Sequence, residues 1–269
     1  MSWSSSSSAA ARLRLLLRHR RTFSSSSPSA ILSPSDPSAP LSSKQKSRAA
    51  LSLLKSISSS SAAPDAAAAD ADRIVAICRA AALSPSSHLD RHALSLAVSS
   101  LSASRSFDHL RSLLHSLLLS PHSPPRHLPH AIVLFGQAGL LDDALRTFRS
   151  HPDLPSLNAL LFACILSRNH DRVPRLFRDL PASHGINPNL DTYNTVLKAF
   201  SDDFETALGL CKETMARNWI PCFSTMKMLV NGLVSASKVE EAKEIVEKIK
   251  EKFSGNADMW KEVEEALPQ

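Results

Sequence analysis

The seven residues EEAKEIV, 240–246, decide the fold, because the chain carries four further copies of their pattern. An acid opens each copy, a small or branched residue follows, and an apolar pair closes it. The other copies are DHLRSLL (108–114), DDALRTF (142–148), DRVPRLF (171–177) and ETALGLC (205–211). Their first residues are Asp108, Asp142, Asp171, Glu205 and Glu240, separated by 34, 29, 34 and 35 residues. A weaker copy, DRIVAIC, begins at Asp72, 36 residues before Asp108. Self-similarity at this period is the mark of a repeat architecture.

Before each copy stands another apolar run of helical period: HALSLAVSSL (92–101), HAIVLFGQA (130–138), SLNALLFACIL (156–166), TYNTVLKAF (192–200) and TMKMLVNGL (225–233). The repeating unit is therefore helix A, a short turn, and helix B. The acid at the start of helix B is expected to cap its free N–H groups and to suit its dipole. Pro155, Pro188 and Pro221 precede helix A, and Pro174 falls in the first turn of a helix B, where a missing N–H costs little. Gly139 reads as a helix stop. One such hairpin cannot bury its own apolar faces, whereas stacked neighbours can, so the expected fold is all-α, a right-handed α-solenoid. KVEEAKEIVEKIKEK and WKEVEEALPQ suit a polar end cap.

Composition agrees. The chain of 269 residues is 43% apolar but only 5% aromatic, with six glycines, which argues against an all-β body. Its net charge of +6 invites a nucleic-acid partner. Yet residues 1–48 hold eight Lys/Arg against Asp36 alone, while residues 49–269 hold 23 basic and 24 acidic residues. The excess belongs to the N-terminus, and any argument for RNA must rest on local surfaces.

Arg12, Arg14, Arg18, Arg20 and Arg21 lie among Leu and Ser with no acid before Asp36. That is the signature of an organellar address. Arg21-Thr22-Phe23-Ser24 resembles a mitochondrial processing site, so residues 1–23 are expected to be a transit peptide to the mitochondrial matrix. Residues 24–69 form a Ser/Pro/Ala-rich segment expected to be mostly disordered, with a short helix over 46–57. Ser58 to Ala69 would separate that helix from the rest. Degenerate hairpins are expected over 70–124, repeats over 125–256 and a capping helix over 257–269. No apolar run is long enough to span a bilayer, so no membrane partner is expected.

Two families use this helix pair. Tetratricopeptide repeats keep a Trp and a Gly-x-x-Tyr in helix A, and neither is in register here. GINPNLDTYNTVLKAF, NWIPCFSTMKMLVNGL and HPDLPSLNALLFACIL, followed by KVEEAKEIVEKIK, instead resemble the pentatricopeptide repeat proteins of the plain type, over roughly residues 90–256. The wording of LSLLKS, SLNALLFAC and KEVEEALPQ is similar to plant mitochondrial members, some of them associated with the small subunit of the mitochondrial ribosome.

The resemblance implies single-stranded RNA, mRNA or rRNA, as the ligand, with mitochondrial ribosomal small-subunit proteins as further partners and organellar RNA metabolism or translation as the setting. It implies that the fifth residue of each helix A and the last residue of its unit read one base. Carried over, the unit from Leu154 pairs Asn158 with Asn189, similar to a pyrimidine reader. The unit from Leu190 pairs Asn194 with Cys222, with Tyr193 packing inward. The unit from Phe223 offers Lys227 with Asn256, and Lys198 joins Lys227 as a phosphate contact. The unit from Pro125 has Pro129 and Asp153. The unit 190–222 holds 33 residues, short of the family's roughly 35, with the deficit at FSDDFETA. An internal loss joined near Asp202-Asp203 is the reading of that deficit.

Other chemistry is weak. His88 and His92 lack a third ligand, and His127 and His130 flank a Pro-rich turn. Cys78, Cys164, Cys211 and Cys222 form no C-x-x-C, and there is no phosphate loop or nucleophile elbow. No cofactor, small-molecule substrate or catalysis is expected. The competing class is a scaffold that holds a protein in the same groove, which the near-neutral repeat region favours.

Overall fold

The computed structural model describes residues 41–59, 67–82, 91–119, 127–200 and 203–252. The proposed transit peptide, the capping helix and Asn256 lie outside these residues. The described residues form twelve α-helices and one 3-10 turn, and none is in a strand. The fold is all-α and repetitive, and the chain divides into two compact units at Leu117/Leu118.

In the first unit, α1 (Ser43–Ser59), α2 (Ala67–Ala82), α3 (Arg91–Ala103) and α4 (Phe107–Leu117) pack as successive hairpins. Helix α3 buries Ala93, Leu94, Ala97, Val98 and Leu101, the stripe that a 3.6-residue period lays on one face. Helix α1 is not set apart, as the Ser/Ala-rich stretch after it suggested. It packs on α2 and α3, because Ala50, Leu54 and Ile57 recur at helical spacing and are all buried.

The second unit holds α5 (His127–Gln137), α6 (Leu141–Ser150), α7 (Leu154–Leu166), a 3-10 turn (His170–Arg172), α8 (Val173–His184), α9 (Leu190–Ala199), α10 (Phe204–Ala216), α11 (Phe223–Ser235) and α12 (Val239–Lys252). The A helices α5, α7, α9 and α11 touch in succession. Each B helix packs against the A helix of its own unit, and α6, α8 and α10 also pack against the A helix of the next. Within this second unit, hairpin stacks on hairpin and the core runs between them. One stretch of it joins Leu197, Ala207, Cys211, Met226, Leu229, Val230, Leu233, Ala242, Ile245 and Val246 from four consecutive helices.

The turns repeat too. Arg105, Gly139, Arg168, Gly185, Asn218 and Ser237 all take left-handed φ, between 54° and 76°. The N–H of the residue after each bonds back five residues, as in Ser106 to the Leu101 carbonyl, Leu140 to Phe135, Asn169 to Cys164 and Lys238 to Leu233, at 2.8–2.9 Å. This is the Schellman closure, and it satisfies helix-end carbonyls while reversing the chain. Only two of the six positions are glycine, so the motif is carried by the hydrogen bonds rather than by residue type.

The acids that open each B helix do not cap as expected. Helices α6 and α8 have no side-chain cap, and Asp142 and Asp143 sit within the first turn of α6. Helix α10 is capped by Asp203, two residues before Glu205, through Thr206 N–H at 3.2 Å. The acids favour the helix by charge at its positive end. Proline is also placed by local chemistry: Pro155 and Pro174 lie in first turns, while Pro188 and Pro221 precede the N-caps Asn189 and Cys222. Pro181 stands inside α8, which the sequence reading did not anticipate.

Candidate nucleic-acid interface

The N-termini of the A helices build the site. Helix α9 begins with a capping box: Asn189 accepts from Thr192 N–H at 3.0 Å, and the Thr192 hydroxyl accepts from Asn189 N–H at 3.0 Å. Helix α7 has the simpler cap, Asp153 accepting from Ser156 N–H at 2.8 Å. Helix α11 is headed by Cys222, whose side chain makes no cap bond. Each cap residue is also the last residue of the preceding unit.

In α7 and α9 the fifth residue reaches the cap of the next A helix. Asn158 Nδ2 donates to Asn189 Oδ1 at 3.3 Å. One unit on, Cys222 N–H donates to Asn194 Oδ1 at 2.8 Å. The structure therefore brings together two of the four residue pairs carried over from the resemblance, 31 and 28 residues apart in the chain, while Asn256, the partner assigned to Lys227, lies outside the described residues. Asn158, Asn189, Asn194 and Lys227 are half-buried, and Cys222 and Lys198 are exposed. Lys198 lies four residues beyond Asn194, one turn further along the same face.

Tyr193 explains why Asn194 faces as it does. It is 3% exposed and donates its hydroxyl to Glu213 Oε1 at 2.9 Å. Its ring meets Phe177 and Trp219 edge-on at 5.3 and 5.8 Å, and Arg217 lies over it at 5.5 Å. Burial, and then the Glu213 carboxylate, push its phenol above the ordinary value. Successive helical residues diverge by about 100°, so an anchored Tyr193 turns Asn194 out of the core. Trp219 is a packing residue, set edge-on against Tyr193 with Arg217 over its ring.

Three cysteine thiols are buried and pushed up by desolvation, Cys78 and Cys211 to about 12 and Cys164 to about 11. Cys222 differs. Partial burial opposes its ionisation, but Ser224 and Thr225, by hydrogen bonding, and the Lys198 charge outweigh it and hold the thiol below its usual value. Among the described residues no three His, Cys, Asp or Glu side chains are grouped to hold a metal ion. None of the described helices is long and apolar enough to cross a membrane.

Sequence reasoning missed two features. The third residue of helix A (Ser156, Thr192, Thr225) is fully buried and belongs to the site; the Asn-x-x-Thr spacing at 189–192 was its signal. Phe162 and Leu166 are 40% and 39% exposed. They follow Asn158 by four and eight residues on α7, and nothing in the apolar run marked them as outward.

Residues 150–203 match the pentatricopeptide repeat domain, and residues 224–252 match the PPR repeat. The chain is 28% identical to the mitochondrial pentatricopeptide repeat-containing protein At1g11630 of Arabidopsis thaliana, over 85% of this chain and 91% of the relative. That alignment runs over 379 positions, so about 150 of them have no counterpart in this chain, which supplies about 229. The chain is 30% identical to the Arabidopsis small ribosomal subunit protein mS79 (rPPR3b), over 42% of this chain but only 31% of the relative. Among solved structures it resembles the pentatricopeptide repeat protein PPR10 in complex with an 18-nt psaJ RNA element, at 22% identity and TM-score 0.45, covering 96% of this chain and 37% of that one. With its two matched repeat regions and its stacked helical hairpins, this chain is a pentatricopeptide repeat protein, related to plant mitochondrial members that include ribosomal ones.

Proposed function

We propose that this chain binds single-stranded RNA, without catalysis, along the face formed by its A helices, and that it does so in the mitochondrial matrix in association with the small ribosomal subunit. The observation that carries the reading is the repetition of one placement, an amide at the fifth residue of helix A against the cap of the next. Asn158 meets Asn189, and Asn194 meets Cys222, at equivalent stations of consecutive units. Amides donate and accept, which suits the edge of an unpaired base. Lys198 and Lys227 supply charge for phosphates on the neighbouring turn and unit. The Arg-rich, acid-poor N-terminus and the mitochondrial relatives support the location.

Few stations mean little choice of sequence by this chain alone. A base contact is worth about 1–3 kcal/mol, so two stations hold an RNA weakly, and neighbouring ribosomal protein and rRNA would supply the remaining contacts. The test is binding of the full chain to single-stranded RNA at low and moderate salt. Salt-sensitive binding that Asn158→Ala and Lys227→Glu weaken is the expected result. Absence of binding at low salt would overturn it. Co-sedimentation with the small subunit in a gradient of mitochondrial extract tests the second part.

One observation favours a protein partner instead. Phe162 and Leu166 place exposed apolar surface on the same helix as Asn158. If Phe162→Asp abolishes sedimentation with the ribosome while RNA binding is intact, the groove is a protein-docking face.

A further inference from the structure

Three stations of the second unit share a backbone but are wired differently, and the difference lies in the third residue of each A helix. Thr192 is fully buried. Its backbone N–H lies 3.0 Å from Asn189 Oδ1. A backbone N–H can only donate, so that atom of Asn189 must be its oxygen. The atom of Asn158 that shares this oxygen, at 3.3 Å, must then be its nitrogen. The Asn158 oxygen is left facing the Thr192 hydroxyl, 2.7 Å away. That hydroxyl also lies 2.9 Å from Asn189 Oδ1, which two N–H groups already occupy. Its single proton therefore goes to Asn158. One backbone N–H thus sets the orientation of both amides.

The other stations lack this link. In α7, Ser156 takes the place of Thr192, yet its buried Oγ has no hydrogen-bond partner. The fifth residue of the preceding unit, counted from Pro125, is Pro129, which offers no side-chain acceptor. In α11, Thr225 Oγ1 lies 3.0 Å from Cys222 Sγ, and Asn194 Oδ1 takes the Cys222 backbone N–H.

We propose that Thr192 is a positioning residue for base choice. Its hydroxyl holds the Asn158 carbonyl inward and so turns the amide nitrogen toward the ligand, restricting this station to base edges that accept hydrogen bonds. The proposal rests on the RNA reading above. Without the hydroxyl, the Asn158 amide keeps only the longer 3.3 Å bond to Asn189 Oδ1, so its orientation is held less firmly and the station discriminates less between donor and acceptor edges.

The experiment measures binding of the full chain to homopolymeric single-stranded U, C and A RNAs of equal length by fluorescence anisotropy, with thermal melting recorded in parallel. The unaltered chain is expected to prefer the pyrimidine RNAs. Thr192→Val lowers that preference roughly fivefold, the loss of one oriented hydrogen bond, and Thr192→Ser restores it. If Val disrupts the cap, Thr192→Ala serves in its place. A merely structural role would weaken binding to all three RNAs in equal proportion, and that outcome overturns the proposal. A preference that Asn158→Ala erases but Thr192→Val and Thr192→Ala preserve also overturns it, while leaving the RNA reading intact. An unaltered chain that binds none of the three removes both.

Discussion

The backbone N–H of Cys222 points at Asn194 Oδ1 across 2.8 Å, so the first donor of α11 is satisfied by a side chain of the preceding A helix. Cys222 itself does not cap. The helix end is held from outside and unsupported from within.

That asymmetry predicts opposite effects at the two residues. Asn194→Ala removes the bond and should cost about 0.5–1.5 kcal/mol. Cys222→Asn keeps the backbone donor and adds a side-chain oxygen for the Thr225 N–H, which should add about 1 kcal/mol. Thermal melting of the two variants beside the unaltered chain checks both signs.

Cys222 is also the cysteine that reagents should find. It is exposed, while Cys78, Cys164 and Cys211 are buried. Its thiol is held below the ordinary value and theirs are pushed to about 11–12. Iodoacetamide at neutral pH should label Cys222 alone, with the other three reacting only in denaturant. Peptide mass spectrometry reads the order, and labelling of Cys211 in the native chain would contradict the packing of α10 on α11.

Two glycines should respond differently to alanine. A Cβ on Gly136 would lie 2.5 Å from both Cα and Cβ of Ala163, so α5 and α7 would have to move apart. Backbone cannot swing aside, and the cost of about 1–3 kcal/mol exceeds the helix-propensity gain of about 1 kcal/mol. A Cβ on Gly232 would meet the Phe204 ring at 1.8 Å. That ring is half-buried and can rotate outward. Gly136→Ala should therefore lower the melting temperature more than Gly232→Ala.

Glu244 joins two consecutive B helices. It accepts from Lys212 at 2.8 Å and from Lys248 at 2.6 Å, and these bonds hold its carboxyl at about 2. A folded value below the unfolded one means that the stabilisation is complete above about pH 4.5, the ordinary value, and is lost as pH falls toward 2. Glu244→Gln should lower the melting temperature at pH 6, the gap should close by pH 2, and high salt should narrow it, because the pair is exposed.

How much of this was legible in advance follows from the range of each interaction. The 3.6-residue stripes, the Pro and Asn at helix starts and the stop at Gly139 are settled within a few residues of chain. The period of about 35 residues then forces stacking, since a single hairpin has no partner for its apolar face. The sequence by itself therefore determined the helices and their pairing into units, while the register that selects Asn158 with Asn189 and Asn194 with Cys222, and the inward place of Tyr193, followed from the resemblance to pentatricopeptide repeats.

Only the tertiary structure decided how those stations are wired. The Thr192 hydroxyl meets an amide 34 residues away, the Ser156 hydroxyl meets none, and α5 approaches α7 as closely as Gly136 and Ala163 allow. Periodicity gives every unit the same address. Which atom donates, and which side chain is left facing outward, depends on the residue that the next unit presents, and that is fixed only when the two units pack.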